Sequence, residues 1–388
     1  MERINSLMFA LIKSQIQGTL LDRSVIEPLS DEEAKRLYVL SKSQDMAHLV
    51  GSAIDKNGLL EEGEILEKYR KQTFMAVYRY QRIQFELQEL CTALETAEID
   101  HMPLKGSVIR DFYPEGWMRT SCDIDVLVRH EDLERAKEVL VGMNYRYDSE
   151  DSHDVCYFSP SGVHVELHYC LIEDYIDGKM DGPLQDVWSY ASVDAGTKHR
   201  YSMSDAMYYY YHIAHMVKHY LHGGCGIRPF LDVWILCHRV EYDRSARAEL
   251  LDEGGILTFS EGAETLSEVW FGNAVHTPLT KSMENYLLSS GTYGTTETRV
   301  AIQQSQKGGK LRFAMSRIWL PYSILVTHYP SLEKHKWLLP FYQVRRWFKL
   351  LFRGGVKRSA NELKTNFKVS DDKQKELSEM LKQLRLKE

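Results

Sequence analysis

Two aspartates, Asp123 and Asp125, stand one residue apart in a run that otherwise has the composition of a buried strand, Ile124-Asp125-Val126-Leu127-Val128. Carboxylates are costly to bury unless they are paired or bind a metal. Strand alternation puts Asp123, Asp125 and Leu127 on one face and Ile124, Val126 and Val128 on the other. Two ionised carboxylates on one face repel, and a divalent cation relieves the repulsion. Oxygen ligands that leave room for water and substrate phosphates suit Mg²⁺. In "VHVELHY", Glu166 shares a face with His164 and His168, while Val163, Val165 and Leu167 face the other way. If the two strands are neighbours, Glu166 completes a set of three carboxylates. Two metal ions on three carboxylates serve in-line phosphoryl or nucleotidyl transfer, one activating the attacking oxygen and the other neutralising the leaving pyrophosphate.

A phosphate-holding half lies upstream. Lys105-Gly106-Ser107 follows a short strand and opens a helix. Glycine lets the backbone approach a phosphate, the Ser107 hydroxyl can donate a hydrogen bond, and a helix N-terminus favours anions. Arg119, four residues before Asp123, offers a planar fork of donors for the same phosphates.

These residues need a scaffold. "IDHMPLKG" reads as a short strand, "SVIRDFY" as a helix turn or two, and "DIDVLV" as a strand. In "HEDLERAKEVLVGMNY", Leu133, Ala136 and Leu140 share a helix face and Gly142 stops it. "DVCYFSPSGVHVELHYCL" reads as two strands joined at Ser159-Pro160-Ser161-Gly162. The whole is an α/β unit of roughly 90 residues. Around it the chain reads as helical. "EILEKYRKQTFMAVYRYQRIQFELQELCTALETAEI" has apolar residues at three- and four-residue steps, and "DAMYYYYHIAHMVKHYL" and "RPFLDVWILCHRV" follow after about Trp188. The fold class is α+β: a small mixed-sheet core embedded in a mostly helical chain. The expected division is a helical region over 1–95, the core over 96–187, a helical region lining a cleft over 188–300 and a basic helical region over 301–388.

The bulk composition sets limits. Hydrophobic residues make up 44% and charged residues 27% of 388, so there is ample material for a large core. Six scattered cysteines with no C-x-x-C pair read as reduced thiols of a cytoplasmic protein rather than a disulfide framework. "MERINSLMFALIKSQIQG" reads as an amphipathic helix, not a signal peptide. No run is long and apolar enough to expect a transmembrane segment. The net charge of −7 hides a basic tail: from Lys310 onward there are 18 Lys/Arg against 7 Asp/Glu.

The order Gly-Ser, D-x-D and a distant acidic residue resembles the DNA polymerase beta-like nucleotidyltransferase superfamily. More closely, "PLKGSVIRDFYPEGWMRTSCDIDVLV", "VHVELHY" and "HMVKHYLHGGCGIRPFLDVWIL" resemble a bacterial family of uncharacterised nucleotidyltransferases, over roughly residues 65 to 345 and most densely from 98 to 240. The resemblance implies that Asp123 and Asp125 bind both of two Mg²⁺ ions. It makes Glu166 the third carboxylate, a ligand to the catalytic metal and a general base for the acceptor hydroxyl. Gly106 and Ser107 would hold the triphosphate of an NTP donor, with Lys105 and Arg119 beside them. Two features depart from the superfamily pattern: Lys105 precedes the Gly-Ser pair, and about 15 residues separate Ser107 from Asp123. The implied activity is transfer of a nucleoside monophosphate, with ATP the expected donor, to a small-molecule or envelope-precursor acceptor. Nucleotidylation of tRNA or a protein, and a non-catalytic nucleotide sensor, are the alternatives.

Other constellations have weaker claims. His212, His215, His219 and His222 lie on one side of a helix, which suits either zinc, with Cys225, or a cleft wall that brings Lys218, His219 and Arg228 to the nucleotide. Gly223, Gly224 and Gly226 in "GGCGIRPFLDVW" read as a helix cap or as a loop presenting Arg228 and Asp232 to substrate. "WLLPFYQVRRWFKLLFRGGVKR" is basic, aromatic and amphipathic: a helix packed on its own core, a peripheral membrane contact or, least favoured, a nucleic-acid contact. "SDDKQKELSEMLKQLRLKE" reads as a capped helix, solvated or partner-binding.

Overall fold

The structure, a computed structural model, describes residues 2–22, 29–172, 178–292, 294–352 and 356–387. Helices α1 (Glu2–Gln17), α2 (Asp31–Ser43), α3 (Ala47–Asn57) and α4 (Glu64–Thr96) open the chain. Ser30 starts α2 with a reciprocal capping box to Glu33, which satisfies two otherwise orphaned backbone donors. In α4 the apolar residues Ile83, Leu87, Leu90 and Leu94 recur at steps of three and four and form one buried row.

That row covers a five-stranded sheet. Its strands are β1 (His101–Pro103), β2 (Asp123–Val128), β3 (Arg146–Glu150), β4 (Asp154–Phe158) and β5 (His164–His168), in the order β1-β2-β5-β4-β3. Only the β2–β5 pair is parallel; the other pairs are antiparallel. Helix α5 (Gly106–Ile109) lies between β1 and β2, and α6 (Leu133–Gly142) between β2 and β3. Ile124, Val126, Val128, Val165 and Leu167 pack with the α4 row and with Leu133, Ala136 and Leu140 of α6. Each buried aliphatic side chain contributes roughly 1.5–3 kcal/mol. A one-residue slip would expose that whole set, so the core fixes which face the carboxylates occupy.

Two strand pairings escape a reading by periodicity. β3 is exposed throughout, and its "RYDSE" sequence has no apolar alternation; its charges and a bulge near Ser149 suit a sheet edge. After Trp188 the chain forms a hairpin, β6 (Ala191–Val193) with β7 (Tyr201–Met203), before turning helical. Three-residue strands are too short to show a period.

The remaining helices are α7 (Gly178–Gln185), α8 (Asp205–Leu221), α9 (Arg228–His238), α10 (Arg244–Glu253) and α11 (Leu257–Phe271), then α12 (Pro278–Ser290), α13 (Thr296–Lys307), α14 (Lys310–Ile318), α15 (Tyr322–His328), α16 (Ser331–Lys334), α17 (Leu339–Phe352), α18 (Val356–Lys368) and α19 (Asp371–Gln383). The chain gathers into two units. One comprises Met1–Lys218 and Ile227–His276; the other comprises His219–Gly226 and Thr277–Glu388.

In the second unit the glycine cluster has a conformational cause. Gly223, Gly224 and Gly226 have φ of 122°, 129° and 69°, a region that favours glycine. A Cβ on Gly224 would also stand 2.5 Å from that of Ser290. Ser370 caps α19, and this helix buries Leu377, Met380 and Leu381, so it is packed rather than solvated. Of the basic aromatic stretch, residues 353–355 lie outside the described residues. Among the described residues no helix is long and apolar enough to cross a membrane.

Candidate active site

The site is built on the face of the sheet opposite the apolar core. The β2–β5 register pairs Asp123 with His164, Asp125 with Glu166 and Leu127 with His168. Asp125 is buried and Glu166 half-buried. The Lys105 ammonium lies 2.7 Å from Asp125 Oδ1 and 4.0 Å from Glu166 Oε2. His168 Nε2 lies 3.0 Å from the same Asp125 oxygen and 3.4 Å from Glu166 Oε2. Burial opposes charge here, but Lys105 and His168 outweigh it and hold the Asp125 carboxyl well below the usual range. Burial likewise works against charge on Lys105, which Asp125 nonetheless holds well above its ordinary pKa. His168, also buried, is raised by its hydrogen bonds to Asp125 and Glu166. Asp123 differs: burial, then Asp125 and Glu166, push its carboxyl up.

The turn before α5 aims Lys105. Ser107 N donates to Leu104 O over 3.0 Å, and Leu104 N donates to Asp125 O over 2.9 Å, tying the turn to β2. Lys105 has φ 44° and ψ −122°, the first central position of a type II′ turn, normally occupied by glycine. A lysine held there stores backbone strain of about 1–3 kcal/mol. Tyr208 of α8 donates to Lys105 O over 2.8 Å and clamps the turn. The Ser107 hydroxyl is buried and has no hydrogen-bond partner. Helix α5 is a single turn, and Ser107 N is used within it, so the anion-binding helix terminus expected from sequence reduces to the Ser107 side chain.

Arg119 is otherwise engaged than its spacing suggests. Its Nε and Nη2 grip the fully buried Asp232 of α9 at 2.9 Å, and Nη1 donates to Thr120 O over 2.7 Å. Tyr113 also donates to Asp232, over 2.6 Å. Arg119 therefore fastens the loop before β2 to α9 rather than pointing its fork at a phosphate. It still borders the turn: a Cβ on Gly106 would meet Ser121 Cβ at 3.1 Å and Arg119 Nη1 at 3.3 Å. Arg110, missed in the sequence, is buried behind this turn. It donates to Gly106 O and to Ser121 Oγ, both over 2.6 Å, and so joins the Gly-Ser turn to the entry of β2. Nothing in "SVIRDFY" marks it, because a lone arginine in a short polar stretch ordinarily reads as exposed.

Arg228, at the start of α9, donates through Nη1 to Asp45 Oδ2 over 3.0 Å and to Thr120 O over 3.2 Å, while its buried Nε has no partner. Its charge reaches Asp123. Lys218 of α8 is pushed down to about 8 by burial and by the Lys105 ammonium, while Glu166 and Asp154 act in the opposite sense. These two basic groups thus belong with the carboxylates. His219 falls in the second unit. His212 Nε2 pairs with Pro229 O at 3.1 Å.

Among the described residues, Asp125, Glu166 and His168 offer ligand atoms within 4.8 Å of one another; so do Cys156, His164 and Glu166, and His153, Asp154 and His168. Asp123, expected to bind metal with Asp125 and Glu166, is not in these groups; His168 joins Asp125 and Glu166 there. The donor set fits a divalent cation. Asp125 and Glu166 bring two oxygen donors beside the His168 nitrogen, and the Asp123 carboxyl on the same face is pushed up by burial and by these two acidic neighbours.

Comparison with known proteins gives a consistent answer. Residues 30–272 match the family model described as uncharacterised nucleotidyltransferase. The searches of curated proteins and of solved structures returned no match. That match spans more than half of the chain and contains the whole carboxylate site with its turn, its arginines and α9. The chain belongs to the uncharacterised nucleotidyltransferase family.

Proposed function

We propose that this protein moves a nucleoside monophosphate from an NTP, with ATP the expected donor, to a hydroxyl or phosphate of a small-molecule or envelope-precursor acceptor. The observation that carries the reading is the direct pairing of Asp125 with Glu166 across parallel strands, with Asp123 on the same face. In the reaction the acceptor oxygen forms a bond to the α-phosphorus, the bond from that phosphorus to the β-bridging oxygen breaks, and pyrophosphate leaves. The hydroxyl proton passes to a carboxylate, and Glu166, half-buried and 4.0 Å from the Lys105 ammonium that stands 2.7 Å from Asp125, is the residue assigned to receive it.

Asp123, Asp125 and Glu166 would hold Mg²⁺, which supplies charge neutralisation and activation of the attacking oxygen. Ser107 donates its hydroxyl to the triphosphate, and Gly106 leaves room for Ser121 and the Arg119 guanidinium against the turn. Lys105 and Arg228, and Lys218 below about pH 8, supply positive charge around that anion. Arg119 and Arg110 position the turn. A cytoplasmic location accords with the reduced cysteines.

The test is a thermal-shift panel on wild type and Asp125→Asn with ATP, GTP, CTP and UTP, each with and without Mg²⁺. Ligands that bind only the native state raise its melting temperature by mass action. A Mg²⁺-dependent rise with one NTP, absent in the variant, supports the reading. A rise that survives Asp125→Asn removes the metal role assigned to the pair.

A further inference from the structure

Within the second unit, α14 and α17 carry exposed apolar rows. On α14, Leu311, Met315 and Ile318 recur at steps of four and three, and Leu311 is 76% exposed, while Phe313 on the opposite side is buried. Trp337, just before α17, is also 76% exposed, and Phe341 and Val344 continue the row. The two helices are fastened at the end of α14. Arg346 donates to Arg317 O over 2.7 Å and Trp347 Nε1 to Ile318 O over 2.9 Å. Gln343, wholly buried, bonds both ways with the Leu320 backbone, its Nε2 donating over 2.6 Å. The end of α14 is thus hydrogen-bonded to α17, and the apolar rows of both helices are exposed.

Along this segment the charge is one-sided, with Lys310 paired to Asp371 of α19 and Arg317 to Glu362 of α18. From Lys310 to Phe352 there are 8 Lys/Arg and one acidic residue, Glu333, in a chain whose net charge is −7. Arg312, Lys334, Lys336, Arg345 and Lys349 are exposed.

We propose that this helix pair docks on an anionic lipid surface, with the apolar rows in the headgroup–acyl boundary and the basic side chains on lipid phosphates. An exposed tryptophan among lysines and arginines fits the membrane interface, and apolar rows with a basic border are the pattern of interfacial helices. Two other occupants fit less well. Nucleic acid matches the charge and would find rings in Trp337 and Phe341, but the other row residues, Leu311, Met315, Ile318 and Val344, carry no ring on which a base could stack. A second copy packed about a two-fold axis would bring the same basic surface against itself.

The experiment sediments the full chain with phosphatidylcholine vesicles, with and without phosphatidylglycerol, at low and high salt, and follows tryptophan emission. Binding to the anionic vesicles alone, a blue shift and weakening by salt are expected. Trp337→Ser/Phe341→Ser and Lys336→Glu/Arg345→Glu should each lower vesicle affinity about tenfold or more while keeping the wild-type melting temperature. No partition into anionic vesicles overturns the proposal. So does a dimer in solution that Trp337→Ser/Phe341→Ser disperses, or single-stranded RNA binding that outcompetes the vesicles. None of these readouts involves NTP, so the nucleotidyl-transfer reading stands or falls separately.

Discussion

The ammonium of Lys105 reaches the Asp125 carboxylate from a backbone conformation that lysine rarely adopts, φ 44°, and closes an ion pair of 2.7 Å. The strain and the charge are coupled: the turn that costs backbone energy is the one that places the cation. Removing one partner of a buried pair typically destabilises by about 3–5 kcal/mol, because the other charge is left uncompensated. Lys105→Met is therefore expected to lose about 3 kcal/mol in urea unfolding without divalent ions. Mg²⁺ should return most of that loss by supplying the missing charge. A variant as stable as wild type in EDTA would show that Asp125 does not depend on Lys105.

Asp123 and Asp125 should give pH–stability profiles of opposite slope. The Asp125 pKa is depressed in the native state, so its contribution is present above the unfolded carboxylate range and is lost as pH falls through the folded value. The Asp123 pKa is raised, so the native state binds its proton more tightly than the unfolded chain does. Stability then falls as pH rises from the unfolded carboxylate range through the raised value. At neutral pH without metal, Asp123→Asn should melt above wild type and Asp125→Asn below it. Melting curves from about pH 2 to about pH 8 are the measurement, the interval taking in the ordinary carboxylate range and the acid side on which the Asp125 contribution is lost; parallel slopes for the two variants would contradict the assignment.

Arg119→Ala separates a structural clamp from a phosphate ligand. The variant strands Asp232, which has 0% exposure and keeps only Tyr113. A loss of about 3 kcal/mol or more is expected in urea unfolding. Full stability combined with lost NTP binding would instead restore Arg119 to the phosphates.

Ser107→Ala should divide stability from binding in the other direction. An unpartnered buried hydroxyl destabilises the native state. Its removal should change stability by less than about 1 kcal/mol, with a gain favoured, while the Mg²⁺-dependent NTP shift shrinks. An unchanged NTP response, measured by calorimetric titration, would remove Ser107 from the triphosphate site.

Lys218 should impose a basic limb on nucleotide affinity. Burial and Lys105 bring its pKa down to about 8, so its charge is present below that pH and lost above it. NTP binding is expected to weaken as pH rises through about 8, and Lys218→Met should flatten the profile. An identical pH dependence in the variant would assign the limb to another group.

Patterns of period two and of three to four revealed most of the scaffold. The alternation in Asp123–Val128 and His164–His168 exposes both the strands and the side on which the acids lie, and α4 is written in its apolar row. β3 and the β6–β7 hairpin were not legible, since an edge strand exposed on both faces has no apolar period to show. The lost signals at the site share one cause. Arg110, Tyr208 and Asp232 act through partners that lie 11, 103 and 113 positions away, and no local pattern records those distances.

By itself the sequence determined that acids share a face, that a Gly-Ser turn precedes them and that the chain has a basic, aromatic end. Those properties depend on neighbours along the chain, whose geometry is fixed by strand and helix periods. The tertiary structure alone decided that Glu166 sits opposite Asp125, because strand order and register arise from packing the apolar face on α4 and α6. It also decided the fate of each arginine and lysine. A guanidinium four residues from an aspartate can serve a phosphate or a buried carboxylate, and only the arrival of Asp232 from α9 turned Arg119 inward.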